Sequence, residues 1–243
     1  MPDNLLHLAY LPSSAGFALP ILSAIRSAKS PLLKARADRW SPGQPLSEYA
    51  LAVTTKMMVL RATLERLRDH LAELDSELVR RTDLRAHVDE GAGLLTGDRQ
   101  LPYRVLAGVD AFIYEFRSTY EITGKFVRCF GREILGIELA ESRVREIVRE
   151  AGVSDAWVTD LQDQRKLFFH DTAPWLALRV ESFDPLKVEL LVLKQHERNL
   201  DDSPNVIPFS RLTAIHSGML GALQALRTWM IGQVSEVDAT SSE

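Results

Sequence analysis

The sequence has a single cysteine, Cys129, in 243 residues. No intrachain disulfide can form, and a chain so poor in thiols fits a reducing compartment, so a cytoplasmic location is expected. There is no uninterrupted hydrophobic run of membrane-spanning length. The longest apolar-rich stretch, 212–231, is broken by His216, Gln224 and Arg227, and it predicts a buried amphipathic helix with no membrane partner. The N-terminal Met-Pro-Asp-Asn-Leu-Leu-His carries neither a basic segment nor a clean apolar core, so no signal peptide is expected. Neither sign of charge dominates: the formal net charge is -4 and the isoelectric point about 5.9. That excludes a wholly basic nucleic-acid coat and leaves room for a local basic patch.

Several chemical motifs are missing as well. No HExxH, CxxC or Asp-rich calcium loop occurs, so no resident metal and no cofactor are expected. No GxSxG elbow occurs either. Gly91, Gly93 and Gly97 cluster between helical segments, but no strand precedes them and no Gly-Lys-Ser/Thr follows, so 86–101 reads as a connector. Cys129, beside a helical seam, reads as a buried inert thiol. His7, His70, His87, His196 and His216 stand in no partner pattern and read as surface or core residues.

What remains is an ordinary globular composition, 46% hydrophobic and 26% charged, with enough apolar residues for a sizeable core. Residues 1–45 are punctuated by Pro2, Pro12, Pro20, Pro31, Pro42 and Pro45, which leaves room for short helices near 24–30 and 32–39. Arg26, Lys29, Lys34, Arg36 and Arg39 make this segment locally basic. It reads as a solvated wrapping arm, with phosphate contact as the alternative. From Leu46 to about Asp83, Val53, Met57, Leu60, Leu64, Leu67, Leu71, Leu74 and Leu78 step by four and three, the signature of a long heptad-like helix. Ser47 is the expected cap and Glu48 suits the first turn.

Pro102 opens a second long helix whose seam runs through Leu106, Val109, Ile113, Phe116, Tyr120, Thr123, Val127, Phe130 and Ile134, and Gly136 ends it. The two seams predict an antiparallel helical hairpin. Glu115, Ser118 and Glu121 lie beside the second seam, where side chains either face water or support a site. A charged helix follows at 141–150, closed by Gly152. Ser154 then reads as an N-cap with Asp155 in the first turn, and Val153 and Val158 have staple spacing. Trp157, Val158, Leu161, Phe168 and Phe169 form the apolar face of that next helix. After Pro174 the period drops to two over 175–182 and 186–194, a β-hairpin. A last helix over 211–234 carries Ala214, Gly218 and Ala222 on one face, for close packing within this core or against a second subunit. The expected fold is mainly α: an up-and-down helical bundle with a small β-hairpin appended before the last helix. It comprises an arm over 1–45, one domain over 46–236 and a frayed tail over 237–243.

The stretch Asp163-Gln-Arg-Lys-Leu-Phe-Phe-His-Asp-Thr-Ala-Pro-Trp175 carries the chemistry. Arg165 stays charged and can grip a phosphate with two parallel hydrogen bonds. His170 titrates near neutrality and can act as acid or base. Together they satisfy the requirements for cleaving an RNA phosphodiester without a metal. On a regular helix, however, five positions rotate by about 140° and rise by about 7.5 Å, so the two side chains do not share a narrow face. They converge only where the helix opens or where a second copy contributes its own pair. The structural alternative pairs Arg165 with Glu115 or Glu121 and leaves His170 on the helix C-terminus.

The order Arg165-Lys-Leu-Phe-Phe-His170, late in a helical bundle, resembles the HEPN superfamily, whose hallmark is Arg, four to six residues, then His. The resemblance extends over roughly 46–175. It implies a four- or five-helix bundle, often a homodimer, and in many members a metal-independent endoribonuclease with Arg and His from both subunits at the interface. Such proteins often act in toxin–antitoxin or phage-defence systems, which would add RNA and an antitoxin or other protein as partners. The family commonly has a polar residue, often Asn, directly after the Arg, where this chain has Lys166. On this reading Arg165 and His170 are catalytic, Lys166 and Arg117 contact the RNA backbone, and Glu115, Ser118 and Glu121 support the site. The alternative is a non-catalytic helical interaction or nucleotide-binding module on the same bundle.

Overall fold

In the computed structural model, residues 17–90, 93–169, 174–194 and 205–240 are described, with backbone alone for 163–169 and 194. Two helices form its axis, α3 (Pro45–Val79) and α5 (Leu101–Phe130), packed as an antiparallel hairpin. The heptad seam of α3 is its packed face. Val53, Leu60, Leu67, Leu74 and Leu78 are buried, and Met57, Leu64 and Leu71 pack against them half-exposed. On α5 the buried stripe is wider than the predicted seam. It takes in Val105, Phe112 and Phe126 besides Val109, Ile113, Phe116, Thr123, Val127 and Phe130. Four of these are fully buried phenylalanines, each contributing about 1.5–3 kcal/mol by leaving water. Pro45, in the first turn, starts α3 in place of the expected Ser47 cap, because a proline there gives up only an amide that has no helical partner.

The basic N-terminal segment contributes to this core. Helix α1 (Ala18–Ser27) starts earlier than expected because Pro20 sits in its first turn, where a missing N–H costs nothing. Helix α2 (Pro31–Ala37) is capped by Ser30, and a 3₁₀ turn, Asp38–Trp40, follows. Ile21, Ile25 and Leu33 are completely buried, and Phe17 and Trp40 meet Phe126 edge-on at 6.0 and 5.7 Å. The cations divide: Arg26, Lys29 and Lys34 are exposed, whereas Arg36 donates to the Ile134 carbonyl at 2.7 Å. That bond ties the segment to the end of α5, where the helix widens into one π turn, Gly131–Leu135, and stops at Gly136 with φ +75°. A side chain at Gly136 would be strained in that conformation and would press on the Arg36 guanidinium, 3.0 Å from the added Cβ.

Between the two long helices the expected connector contains a short helix, α4 (Leu84–Glu90), with Leu84 in the core. Helix α6 (Glu141–Glu150) falls on its predicted bounds, and α7 (Ala156–Phe169) follows after Gly152, φ +76°. Strands β1 (Pro174–Phe183) and β2 (Leu186–Lys194) make the expected hairpin, and a third strand, β3 (Val206–Pro208), extends it to an antiparallel sheet of order β1-β2-β3. Leu190 and Val192 turn one face of β2 to the main core. Leu191 and Leu193 join Val206 in a separate cluster on the other face. The last helix, α8 (Phe209–Thr240), runs well past Val234, and the Asp238 carboxylate accepts the backbone N–H of Ser30. None of the described helices is long and apolar enough to cross a membrane.

Candidate functional site

Helix α7 carries Arg165 of the predicted pair, and its first half is firmly seated. Ser154 Oγ accepts the Ala156 N–H at 3.2 Å. Asp155 stands just before the helix rather than in its first turn. Its carboxylate goes to α6, 3.2 Å from Arg145 Nε and 3.9 Å from Arg149 Nε. The Arg145 Nε contact is an ion pair without the alignment of a hydrogen bond. Trp157 is the wedge: it lies edge-on to Tyr120 at 5.2 Å and to Phe116 at 6.1 Å, and its ring sits directly over Gly218 of α8. Val158 and Leu161 are buried, and Asp160 pairs with Arg211 of α8 at 2.9 Å.

The helical backbone continues through Arg165 and Lys166. Eight positions beyond Trp157, the Arg165 backbone lies about 12 Å further along the axis and about 80° round, on the ridge that runs through buried Leu161. One more position carries the Lys166 backbone about 180° from Trp157, to the far side of the helix. The side chains of Arg165 and Lys166, and His170 as a whole, lie outside the described residues.

The α5 candidates divide between two sides of their helix. Phe116 and Tyr120 point at Trp157. Glu115 turns instead to α3, where Lys56 Nζ meets its carboxylate at 2.9 Å, with both side chains largely shielded. Lys56 also lies over the Tyr114 ring, 5.9 Å from its centre. Arg117 and Glu121 bond to each other at 2.6 Å on the exposed surface, one position on from Phe116 and Tyr120. Ser118 lies between them, partly exposed. Both carboxylates considered as partners of Arg165 are thus engaged by other cations. The Lys56–Glu115 pair, being shielded, is the firmer of the two. The Arg117–Glu121 pair is of the exposed i,i+4 kind that contributes about 0.3–0.5 kcal/mol and yields readily to a polyanion.

Burial sets the other local chemistry. It raises the Tyr120 phenol, against a smaller opposing pull from Arg145. It also raises the Cys129 thiol, with Arg132 lowering it less, so Cys129 stays protonated as a core residue should. Among the described residues no three His, Cys, Asp or Glu side chains group as metal ligands.

The wedge of Trp157 on Gly218 was not visible as a contact in the sequence, although both residues were marked: one as an apolar helix position, the other as part of a small-residue face. Of that face Gly218 receives Trp157 and Ala222 is buried, whereas Ala214 is exposed; beside it Gly221 faces Val153. A concavity between α3 and α8 is not legible in the sequence, because its walls come from three separated segments. No family model, curated protein or solved structure matches the chain.

Proposed function

We propose that this chain is a HEPN-like, metal-independent endoribonuclease. Arg165 and His170 form the catalytic pair, and two copies of the chain complete the site. The supporting observation is the seating of the helix that carries Arg165. Helix α7 is locked at Trp157 into the junction of α5 and α8 and carries the Arg165 backbone along the ridge that begins there. A rigid element that ends at the reacting groups is what positioned catalysis requires. In the reaction His170 accepts the proton of a ribose 2′-hydroxyl as its oxygen attacks phosphorus. The bond to the 5′-oxygen breaks, that oxygen takes up a proton, and a 2′,3′-cyclic phosphate is left. Arg165 holds the charge that builds on the phosphoryl oxygens. Lys166 and Arg117 supply backbone contacts, Arg117 by exchanging Glu121 for phosphate.

The test is incubation of the full chain with end-labelled single-stranded RNA in EDTA. The expected result is cleavage ending in cyclic phosphate, with no cleavage of the all-deoxy strand. Arg165→Ala and His170→Ala should each lower the rate by roughly a hundredfold or more. Equal residual cleavage by wild type and the double variant would overturn the reading. The mutual pairing of Arg117 with Glu121 and of Lys56 with Glu115 favours a second reading, a helical module that binds without turnover. RNA or nucleotide that raises the melting temperature and stays intact would select it.

A further inference from the structure

The outer face of α5 carries a pattern that the catalytic pair does not use. Tyr103, Tyr114 and Lys125 stand eleven positions apart, three helical turns plus about 20°, so they share one nearly straight line roughly 33 Å long. Arg117 and Arg128 repeat that spacing on a second line about 60° round the helix. The first line starts in rings and ends in charge. Tyr103 is 68% exposed and Tyr114 59%. Ala107 and Ala111, between them on the helix, are exposed and small. Lys56 Nζ lies 5.9 Å from the centre of the Tyr114 ring and steadies it. Lys125 is exposed, and Arg128 meets the exposed Glu141 loosely, at 3.8 Å. Glu121 is held by Arg117 in a surface pair that exchanges easily. Asp110 is the acid between the two rings, where bases pass and not phosphates. The direction of α7 links this face to the predicted pair. Helix α7 runs antiparallel to α8, with Trp157 over Gly218 and Asp160 on Arg211. Helix α8 runs parallel to α5, with His216 beside Phe116 and Trp229 beside Phe130. The Arg165 backbone is thus carried toward the half of α5 that bears the two rings.

Exposed rings in line with cations match one ligand chemistry, a polyanion with unpaired aromatic bases. We infer that single-stranded RNA lies along the outer face of α5, its bases stacked on Tyr103 and Tyr114 and its phosphates on Arg117, Lys125 and Arg128. That the strand is RNA rests on the ribonuclease reading. That it is single follows from the rings, because the bases of a duplex are already stacked on one another and closed to them.

Fluorescence anisotropy of a labelled oligoadenylate of about 12 nucleotides tests this track, titrated with the full chain carrying His170→Ala so that the strand stays intact. Saturable binding is expected, at least about tenfold tighter than that of the blunt duplex with oligouridylate. Adding Tyr103→Ala and Tyr114→Ala together should weaken it by at least about tenfold, the effect of two lost stacking platforms. Tyr103→Phe with Tyr114→Phe keeps both rings and should bind as before. An abasic strand of the same length should not sense the tyrosines. Lys125→Ala with Arg128→Ala should flatten the slope of log affinity against log salt by about 1.4, as two lost phosphate contacts require. Absent binding overturns the track, and so does equal affinity for the duplex or for the alanine pair. It also falls if the abasic strand is weakened as much as the oligoadenylate. A mass by light scattering that drops with the alanine pair, in a chain that binds no RNA, would make the face a contact between copies instead. Cleavage by wild type with none of these effects sinks the track and leaves the nuclease. Binding with these effects and no cleavage sinks the nuclease and leaves the track.

Discussion

Gly218 has no room for a methyl group. An added Cβ would stand 2.4 Å from Trp157 Cδ1 and 2.6 Å from its Cγ. The indole cannot back away, because Phe116 and Tyr120 hold its other side. Two effects compete in Gly218→Ala. Helix propensity favours alanine by about 0.8–1.0 kcal/mol, and overpacking costs about 1–3 kcal/mol. Sterics win here, so Gly218→Ala should lower stability to urea by up to about 2 kcal/mol. Gly124 is also within a helix and has nothing within 4 Å of its added Cβ. Gly124→Ala should therefore gain up to about 1 kcal/mol. Measured side by side, equal effects at the two positions would show that Trp157 is not wedged as described. The sequence marked Gly218 as a small-residue contact but left its partner open. That partner is on another helix, and helical spacing identifies a face without saying what meets it. The same limit applies on α5: Glu115 and Glu121 were placed beside the seam, whereas Lys56 and Arg117 as their holders were not readable.

Whole elements were legible wherever one face alternates cleanly with another. Helices α3 and α5 followed from apolar steps of three and four, because burying such a stripe is the main source of helix stability, and α6 from its run of charged residues closed by Gly152. The misses have different causes. Helix α4 is one short run in which only Leu84 is buried, too little to register as a period. The π turn at Gly131–Leu135 arises from packing: an added Cβ at Gly131 would meet Leu139 Cδ1 at 2.6 Å, so the chain after the helix folds back onto that glycine. Strand β3 spans three residues and exists only through its pairing with β2. The end of α8 was read as a frayed tail because apolar spacing fades after Val234, yet a polar contact continues the helix. Asp238 accepts the backbone N–H of Ser30, a residue only 1% exposed at the corner between α1 and α2. Removing that acceptor leaves a buried amide unpaired, at a cost of about 1–3 kcal/mol. Asp238→Ala should thus destabilise the chain by that amount in urea unfolding, and Asp238→Asn, which keeps an acceptor oxygen, by clearly less. A tail of no consequence would show neither loss.

At the scale of the molecule, the three longest helices converge on His216. It lies on α8, its ring 6.2 Å from Phe116 of α5, and Arg68 of α3 is close enough to repel its protonated form. Partial burial, with Arg68 adding to it, lowers the imidazole from its ordinary value near 6.5. The sign of the consequence follows from proton counting. Between the lowered folded value and 6.5 the unfolded chain binds more protons than the folded one, so stability rises with pH through that window. His216 therefore contributes stability that is fully present above 6.5 and is lost as pH falls toward the folded value. Asp83, held down to about 2 by its hydrogen bond to Arg81, changes only in far more acid solution and does not overlap this step, whereas burial raises the Asp110 carboxyl, a background common to wild type and variant. Urea unfolding at pH 7.5 and pH 5.5 should show wild type weaker at the lower pH. His216→Phe keeps an aromatic ring beside Phe116 and removes the titrating group, so the difference should shrink. Should both proteins lose equal stability between the two pH values, the step belongs to other groups and the junction of α3, α5 and α8 is indifferent to protonation at this position.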